Sequence, residues 1–314
     1  MSEPDHKRPQ AAGRSYYAGV ALLLAAAAMW SLNGALIKLV YEGGQGPRGV
    51  VIAFYRSLFA GLCVLPFAVG RLHTLRGSCG GGLRIPLRPA ALWCVIFFAV
   101  MTVCFVVANT KTEAANAIVL QYTSTFWIFG LSPLVLNERA RRKEVGLLAL
   151  AILGVLVIFL GNATTDLFGL LNALCAGLFF GLLTLMIRRM RDSDPAAVTV
   201  LNNLGSAVLI LPFAVVMGGL FVSGKALVLL IIMGVVQFGI PYYLYSLGLA
   251  RVRAYQASLI TMLEPVLVPV WTYLAVGEIV PFETLIGGGI ILVALVLFIQ
   301  SARKYEPDGS PSCI

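Results

Sequence analysis

The chain has 314 residues, of which 59% are hydrophobic and only 12% charged, with a formal net charge of +9. A soluble domain carries about 25% charge, so this chain has too little to coat a wet surface, and the soluble globular class is excluded. A β-barrel is excluded as well, because the apolar runs are long and continuous rather than alternating segments of about ten residues.

The start, MSEPDHKRPQAAGRSYY, is a charged tail ahead of an apolar run too long for a signal-peptide core. No small-residue cleavage site follows, so the segment is expected to stay. Ten apolar stretches come next, roughly 17–40, 50–70, 90–109, 114–136, 145–161, 166–187, 197–217, 226–249, 254–275 and 283–301. Nearly all are long enough to cross about 30 Å of hydrocarbon as a helix. The predicted fold class is therefore an all-α membrane protein of ten transmembrane helices. Two spans hold a single ion each, Arg56 and Glu264.

The basic charge is placed asymmetrically. With ten spans, one side holds Lys7, Arg8 and Arg14; Arg71, Arg76, Arg84 and Arg88; Arg139, Arg141, Arg142 and Lys143; Arg188, Arg189 and Arg191; Arg251 and Arg253; and Arg303 and Lys304. The other side holds Lys38, Arg48, Lys111 and Lys225. The positive-inside rule then predicts both termini in the cytoplasm, with the chain in the cell (inner) membrane. The charge reads as a topology signal with some attraction to anionic lipid heads, and no nucleic-acid partner is expected. The six cysteines form no CxxC pair and fall mostly within spans, as small buried hydrophobes do. The two histidines, His6 and His73, cannot build a zinc site.

Spans one to five and six to ten repeat a pattern. TEAANAIVLQYTSTFWIFGLSPLVLNE (112–138) aligns without gaps to VRAYQASLITMLEPVLVPVWTYLAVGE (252–278), matching Ala114 to Ala254, Ala117 to Ala257 and Glu138 to Glu278, with Asn116 facing Gln256. MWSLNGALIK (29–38) likewise parallels FFGLLTLMIR (179–188). An odd number of spans per half forces opposite orientations, so this is an inverted repeat of the kind secondary transporters use around a midplane site. The expected boundaries are a tail at 1–16, a first five-helix repeat at 17–163, a second at 164–301 and a tail at 302–314.

These segments resemble the EamA-type branch of the drug/metabolite transporter superfamily. The residues that carry the resemblance are Trp30 to Lys38, FYRSLFAGL (54–62), the AANAIVL and PLVLNE parts of span four, and ASLITMLEPVLVPVWTYLAVGE (257–278). The ninth-span signature is the most specific of these. The Gly-rich loop RGSCGGGLRIPLRP and the polar QYTST (121–125) depart from the pattern. The resemblance implies a ten-helix carrier for small metabolites, often an exporter of amino acids or related solutes.

Glu264 lies about 15 Å from either membrane face. An isolated charge there costs several kcal/mol, so the acid should face the bundle interior, be neutralised or have a partner. Pro265 cannot donate to the carbonyl at position 261, and Pro269 repeats the deficit one turn later. The acid then stands either at a hinge in a gating helix or as a brace for the kink. Ser258 and Thr261 share its face.

Arg56, about six residues inside the start of span two, either snorkels to the external interface or anchors a substrate carboxylate or phosphate. Asn116, Thr123 and Trp127 fall on one face of span four as a helix, with Ser124 close by, and span one offers Trp30 and Asn33. Span eight carries QFGIPYYLYS (237–246), in which Pro241 interrupts a tyrosine-rich helix with Gln237 and Tyr245. Aromatic side chains near the midplane suit an amphipathic or cationic solute, although interfacial belts and packing are their commoner use. The expected substrate-binding set is thus Trp30, Asn33, Arg56, Asn116, Thr123, Trp127, Gln237, Tyr245 and Glu264, with hinges at Pro241, Pro265 and Pro269. Gly177, Gly181 and Gly287 to Gly289 read as close helix contacts.

No Walker loop, HExxH or GxSxG motif occurs, so no cofactor, metal or catalytic residue is expected. The partners expected are a small-molecule substrate and the lipid bilayer, with a homodimer left open. Against the leading reading of a secondary exporter stand an organic-anion exchanger, which needs several central cations, and a membrane-embedded enzyme, which needs paired acids or a metal cluster near an interface. The sequon at Asn162 lies in a loop too short for glycosylation.

Overall fold

The computed structural model describes residues 8–40, 46–77, 89–112, 114–161, 166–277 and 282–304. Tyr41, Asn162, Glu278, His6, Cys79 and Cys313 lie outside the described residues, as do the side chains of Lys38, His73 and Asn116. Among the described residues all regular structure is helical, as hydrocarbon demands of a backbone with no water to bond to. Nine helices among the described residues are long and apolar enough to cross a membrane, and a shorter apolar stretch, 285–301, makes the tenth.

In chain order, span one is α1 (Arg8–Trp30) and α2 (Asn33–Val40); span two is α3 (Gly49–Gly77) and span three α4 (Pro89–Lys111). Span four is α5 (Ala114–Gln121) and α6 (Ser124–Val135), and span five is α7 (Arg142–Gly161). The second half opens with α8 (Leu167–Arg189) and α9 (Pro195–Gly218). Span eight follows as α10 (Gly224–Ile232), a π-helical segment (Met233–Gly239) and α11 (Ile240–Leu249). Span nine is α12 (Ala254–Thr261) and α13 (Leu263–Val276), and span ten is α14 (Phe282–Lys304). Short polar side chains start several of these: Asp166 accepts from Gly169 N, Asp194 from Ala196 N and Ala197 N, and Ser223 from Ala226 N.

The packing obeys the inverted repeat. α3 lies on α9 and α7 on α14, each against its own counterpart, while α1 packs on α11 and α4 on α8. α7 meets α14 backbone to backbone: a Cβ on Gly154 would stand 2.6 Å from Gly287 O, so no larger side chain fits without separating the helices. The fourth and ninth spans break at matching places, after Gln121 and after Thr261, and leave the helix alike. Asn137 (φ 54°) and Gly277 (φ 69°), aligned in the two halves, are both left-handed, a conformation only glycine and a few short polar residues adopt readily.

Candidate functional site

Four spans lose regular helical turns near the centre of the bundle. α1 stops at Trp30 and α2 begins at Asn33; α5 stops at Gln121 and α6 begins at Ser124; α12 gives way to α13 at Met262; and span eight widens into the π segment before Pro241. The wide turn accommodates the proline, since the amide of Ile240 reaches back five residues to Val235 O. These irregularities surround one cavity, lined by Trp30, Arg56, Met101, Thr102, Phe105, Gln121, Tyr122, Ser124, Phe180, Gln237, Phe238, Tyr242 and Glu264. Its open space is about 20 Å³, room for about one water molecule. A metabolite enters only when the walls part.

Arg56 does not snorkel. It is 2% exposed, donates from Nη1 to Asn33 Oδ1 at 3.1 Å, and lies 4.2 Å from the centroid of the Phe238 ring, an attractive cation–π placement. Glu264, 7% exposed, occupies the first turn of α13. The two ionic groups face the same cavity, yet the hydrogen bonds each makes go elsewhere: Arg56 to Asn33, Glu264 to Tyr122.

Tyr122 explains the span-nine break. Pro265 leaves the carbonyl of Thr261 without its helical donor, and the Tyr122 hydroxyl donates to that carbonyl. The same hydroxyl lies 2.9 Å from Glu264 Oε2. A phenol has one proton, so it serves both oxygens only if Glu264 is protonated and donates to it. An ionised Glu264 takes the phenolic proton and leaves Thr261 O bare. The protonation state of one acid is thereby tied to the hydrogen bonding of the helix break beside it.

Four buried polar atoms on the cavity wall have no partner: Trp30 Nε1, Arg56 Nε, Thr102 Oγ1 and Gln237 Oε1. Buried polar groups are normally satisfied. Here three donors and one acceptor are left open around one space.

The sequence matches the EamA-like transporter family twice, over residues 17–160 and 167–300. The chain belongs to that family, within the drug/metabolite transporter superfamily. It is a transporter rather than an enzyme. An uncharacterized transporter of Archaeoglobus fulgidus is 26% identical over 285 residues, covering 90% of this chain and 96% of its own length. An uncharacterized transporter from the sor 3' region of Acidianus ambivalens is 23% identical, covering 67% and 78%. A crystal structure superposes with a TM-score of 0.73 at 18% identity, over 93% of this chain and 99% of that one, a likeness of fold alone.

Within this EamA transporter, Trp30, Arg56, Gln237 and Glu264 reach the cavity wall. Asn33 and Tyr245 stand one layer behind: Asn33 orients Arg56, while Tyr245 bonds to Thr184 at 2.8 Å and packs 5.0 Å from the Trp30 ring. Thr123 and Trp127 point elsewhere. Thr123 Oγ1 bonds to Leu120 O against Gly177 of α8, and Trp127 is 44% exposed on the lipid side of α6. Their shared face holds for a continuous helix, and the break at 121–124 rotates it apart. α13 runs through Pro269 without interruption, so the break in span nine sits at Met262, ahead of Glu264 and Pro265. Sequence reasoning passed over Gln121 and Tyr122, although the polar run QYTST in an apolar span was their signal, and it set Ser124 only beside the Asn116 face.

A second polar cluster joins the two halves at the end of the bundle where α6 stops and α12 starts. Glu138 Oε1 pairs with Arg188 Nε at 2.8 Å, and Oε2 accepts from Ala254 N at 3.0 Å. Arg188 Nη1 donates to Leu249 O. Beside it, Glu144 accepts from Gln256 Nε2 at 3.1 Å and from Arg141 N at 2.6 Å.

Proposed function

We propose that this protein is a secondary carrier, an exporter of amino acids or related amphipathic solutes, working by alternating access around the central cavity. The observation that carries this reading is the pairing of a guanidinium and a carboxyl group on one cavity wall with unsatisfied donors and aromatic rings between them. Arg56 offers a fork for a carboxylate, Glu264 an acceptor for an ammonium group, and Trp30, Phe180 and Tyr242 an apolar bed for the rest of the solute. An organic-anion exchanger fits less well, because Glu264 repels a second anionic group in the same space.

As it stands the cavity is too small to hold a solute. The Glu138–Arg188 cluster ties the halves at the face carrying most of the basic loops, which the positive-inside rule places in the cytoplasm with both termini. Releasing that cluster opens the cavity inward; re-forming it commits the solute to the other side. Tyr122, shared between Glu264 and the span-nine break, supplies a route by which a proton couples to the hinge.

A thermal-stability screen of the detergent-purified protein against amino acids and amines tests the reading, with Glu264→Gln in parallel. A ligand at 100 times its dissociation constant adds about 2.7 kcal/mol. Amino acids or amines that stabilise the parent and not the variant support both the solute class and the site. Stabilisation by sugar phosphates alone overturns the solute class.

A further inference from the structure

α3 and α9 are counterparts in the two halves, and their register is fixed by a shared pentapeptide: LPFAV occurs at 65–69 and again at 211–215, both inside the helices. Carrying that register back along both helices sets Arg56 against Asn202 and Ser57 against Asn203. Gly49 and Pro195, where the helices start, coincide in the same alignment. Since the halves are inverted, Arg56 lies about 10 Å from one end of the bundle and Asn202 about 10 Å from the other, the end that carries Glu138.

Asn202 and Asn203 belong to a polar stripe with Thr199 and Ser206, on a span that is otherwise apolar. The stripe faces inward: these four residues are 0–2% exposed, against 69% for Val208 on the lipid side of the same helix. Thr199 Oγ1 lies 3.3 Å from Ser246 Oγ on α11, and Ser206 Oγ lies 3.3 Å from Val95 O on α4. Ser246 follows Tyr242 of the cavity wall by one turn, and Val95 precedes Met101 and Thr102 by under two. The stripe is therefore the layer next to the cavity on the Glu138 side.

Polar residues between membrane helices often serve as glue, and part of this stripe does so: Asn203 Nδ2 donates to Thr199 O at 2.9 Å. Glue uses its hydrogen-bonding atoms. Here Asn202 Oδ1 and Asn203 Oδ1 are both buried without a partner, and so is Ser57 Oγ at the matching position of the other half. We propose that Asn202 and Asn203 form a second polar station of the solute path, the inverted-repeat counterpart of Arg56 and Ser57. Its two amide oxygens accept from the N–H donors of a solute's amine end as it moves between the cavity and the Glu138 face. The arginine half holds the carboxylate end and the asparagine half the amine end. This inference rests on the carrier reading above.

The test uses the full chain in proteoliposomes with its six native cysteines replaced. Asn202→Cys and, separately, Asn203→Cys are treated with a membrane-impermeant trimethylammonium thiosulfonate, with Ser124→Cys as the cavity reporter. Each is compared with and without the pair Glu138→Gln and Arg188→Gln, which releases the cluster. Releasing it should raise labelling at 202 or 203 roughly tenfold, from the Glu138 side only. In the native-cysteine chain, Asn202→Leu should lower uptake of a radiolabelled amino-acid mixture about tenfold, as expected for losing one hydrogen bond to a charged group, while its thermal midpoint stays or rises. Labelling at the reporter with silence at both 202 and 203, or Asn202→Leu uptake within about twofold of the parent, overturns the station and leaves the stripe as packing. A reporter silent from both sides overturns the carrier reading itself.

Discussion

Among the described residues, ionic groups are buried in two places, and the two places treat them differently. At the Glu138 cluster both carboxylate oxygens are taken, and Arg188 bonds a carboxylate and a carbonyl. In the cavity, Arg56 keeps Nε free and no hydrogen bond joins it to Glu264. A paired cluster linking two halves is a tie, because its energy is realised in the structure as it stands. An incompletely paired cation in a space with other open polar atoms is stabilised fully only by something that enters. The contrast lies in the partners, since both sites combine an acid with an arginine.

The contrast breaks first at the tie. Arg188→Leu strands Glu138 without its counter-ion, and removing one partner of a buried pair costs about 3 kcal/mol. The thermal midpoint in detergent should fall sharply, and adding Glu138→Gln should restore part of the loss. A single variant melting with the parent means that the cluster holds nothing together. Arg56→Leu should do the reverse. It deletes a buried, under-paired charge, so the midpoint stays or rises, while amino-acid uptake drops roughly 30-fold, the worth of a charge-assisted hydrogen bond. Uptake that survives would move the solute's carboxylate away from this residue.

Most of the architecture was legible in the sequence because hydrocarbon leaves so few options. Ten apolar runs, the lone ions Arg56 and Glu264, and an ungapped alignment of spans four and nine follow from composition and spacing. The site was legible only where the identity of a residue was enough. A carboxyl or guanidinium group in a span draws attention wherever its helix points, so Glu264 and Arg56 stand out. Tyr122 does not, since tyrosine is common in membrane helices, and its role depends on facing a carbonyl that Pro265 strips of its donor 143 positions away. Thr123 and Trp127 show the opposite failure. Helical periodicity was applied across a break that no proline in span four marks at 121–124.

The proton link sharpens the cavity side of the comparison. Glu264→Gln keeps an amide that can donate to the Tyr122 oxygen, mimicking the protonated acid at every pH. Its midpoint should stay close to the parent's. The parent's uptake, measured at zero membrane potential over a series of pH values, should vary as Glu264 gains and loses its proton. The variant should give a flat profile and a rate lower by about tenfold, since its amide is a poorer partner for an ammonium group. A variant that retains the parent's pH profile would assign the titration to another group and leave Glu264 as a brace.

The smallest effect is expected at Trp127. On an unbroken span four this ring shares the face of Asn116 and belongs in the cavity; with the break between Gln121 and Ser124 it points to lipid, half exposed. Trp127→Leu exchanges one apolar surface for another against acyl chains. Stability should change by no more than about 0.5 kcal/mol, and uptake should stay within about twofold. Gly181→Ala on the facing helix should cost more despite being the smaller change, because the added Cβ would lie 2.9 Å from Trp127 Cβ and 3.0 Å from Ser124 O, against backbone that lines the cavity. If Trp127→Leu proved the more damaging of the two, span four would have to be continuous, and Tyr122 would lose its place beside Glu264.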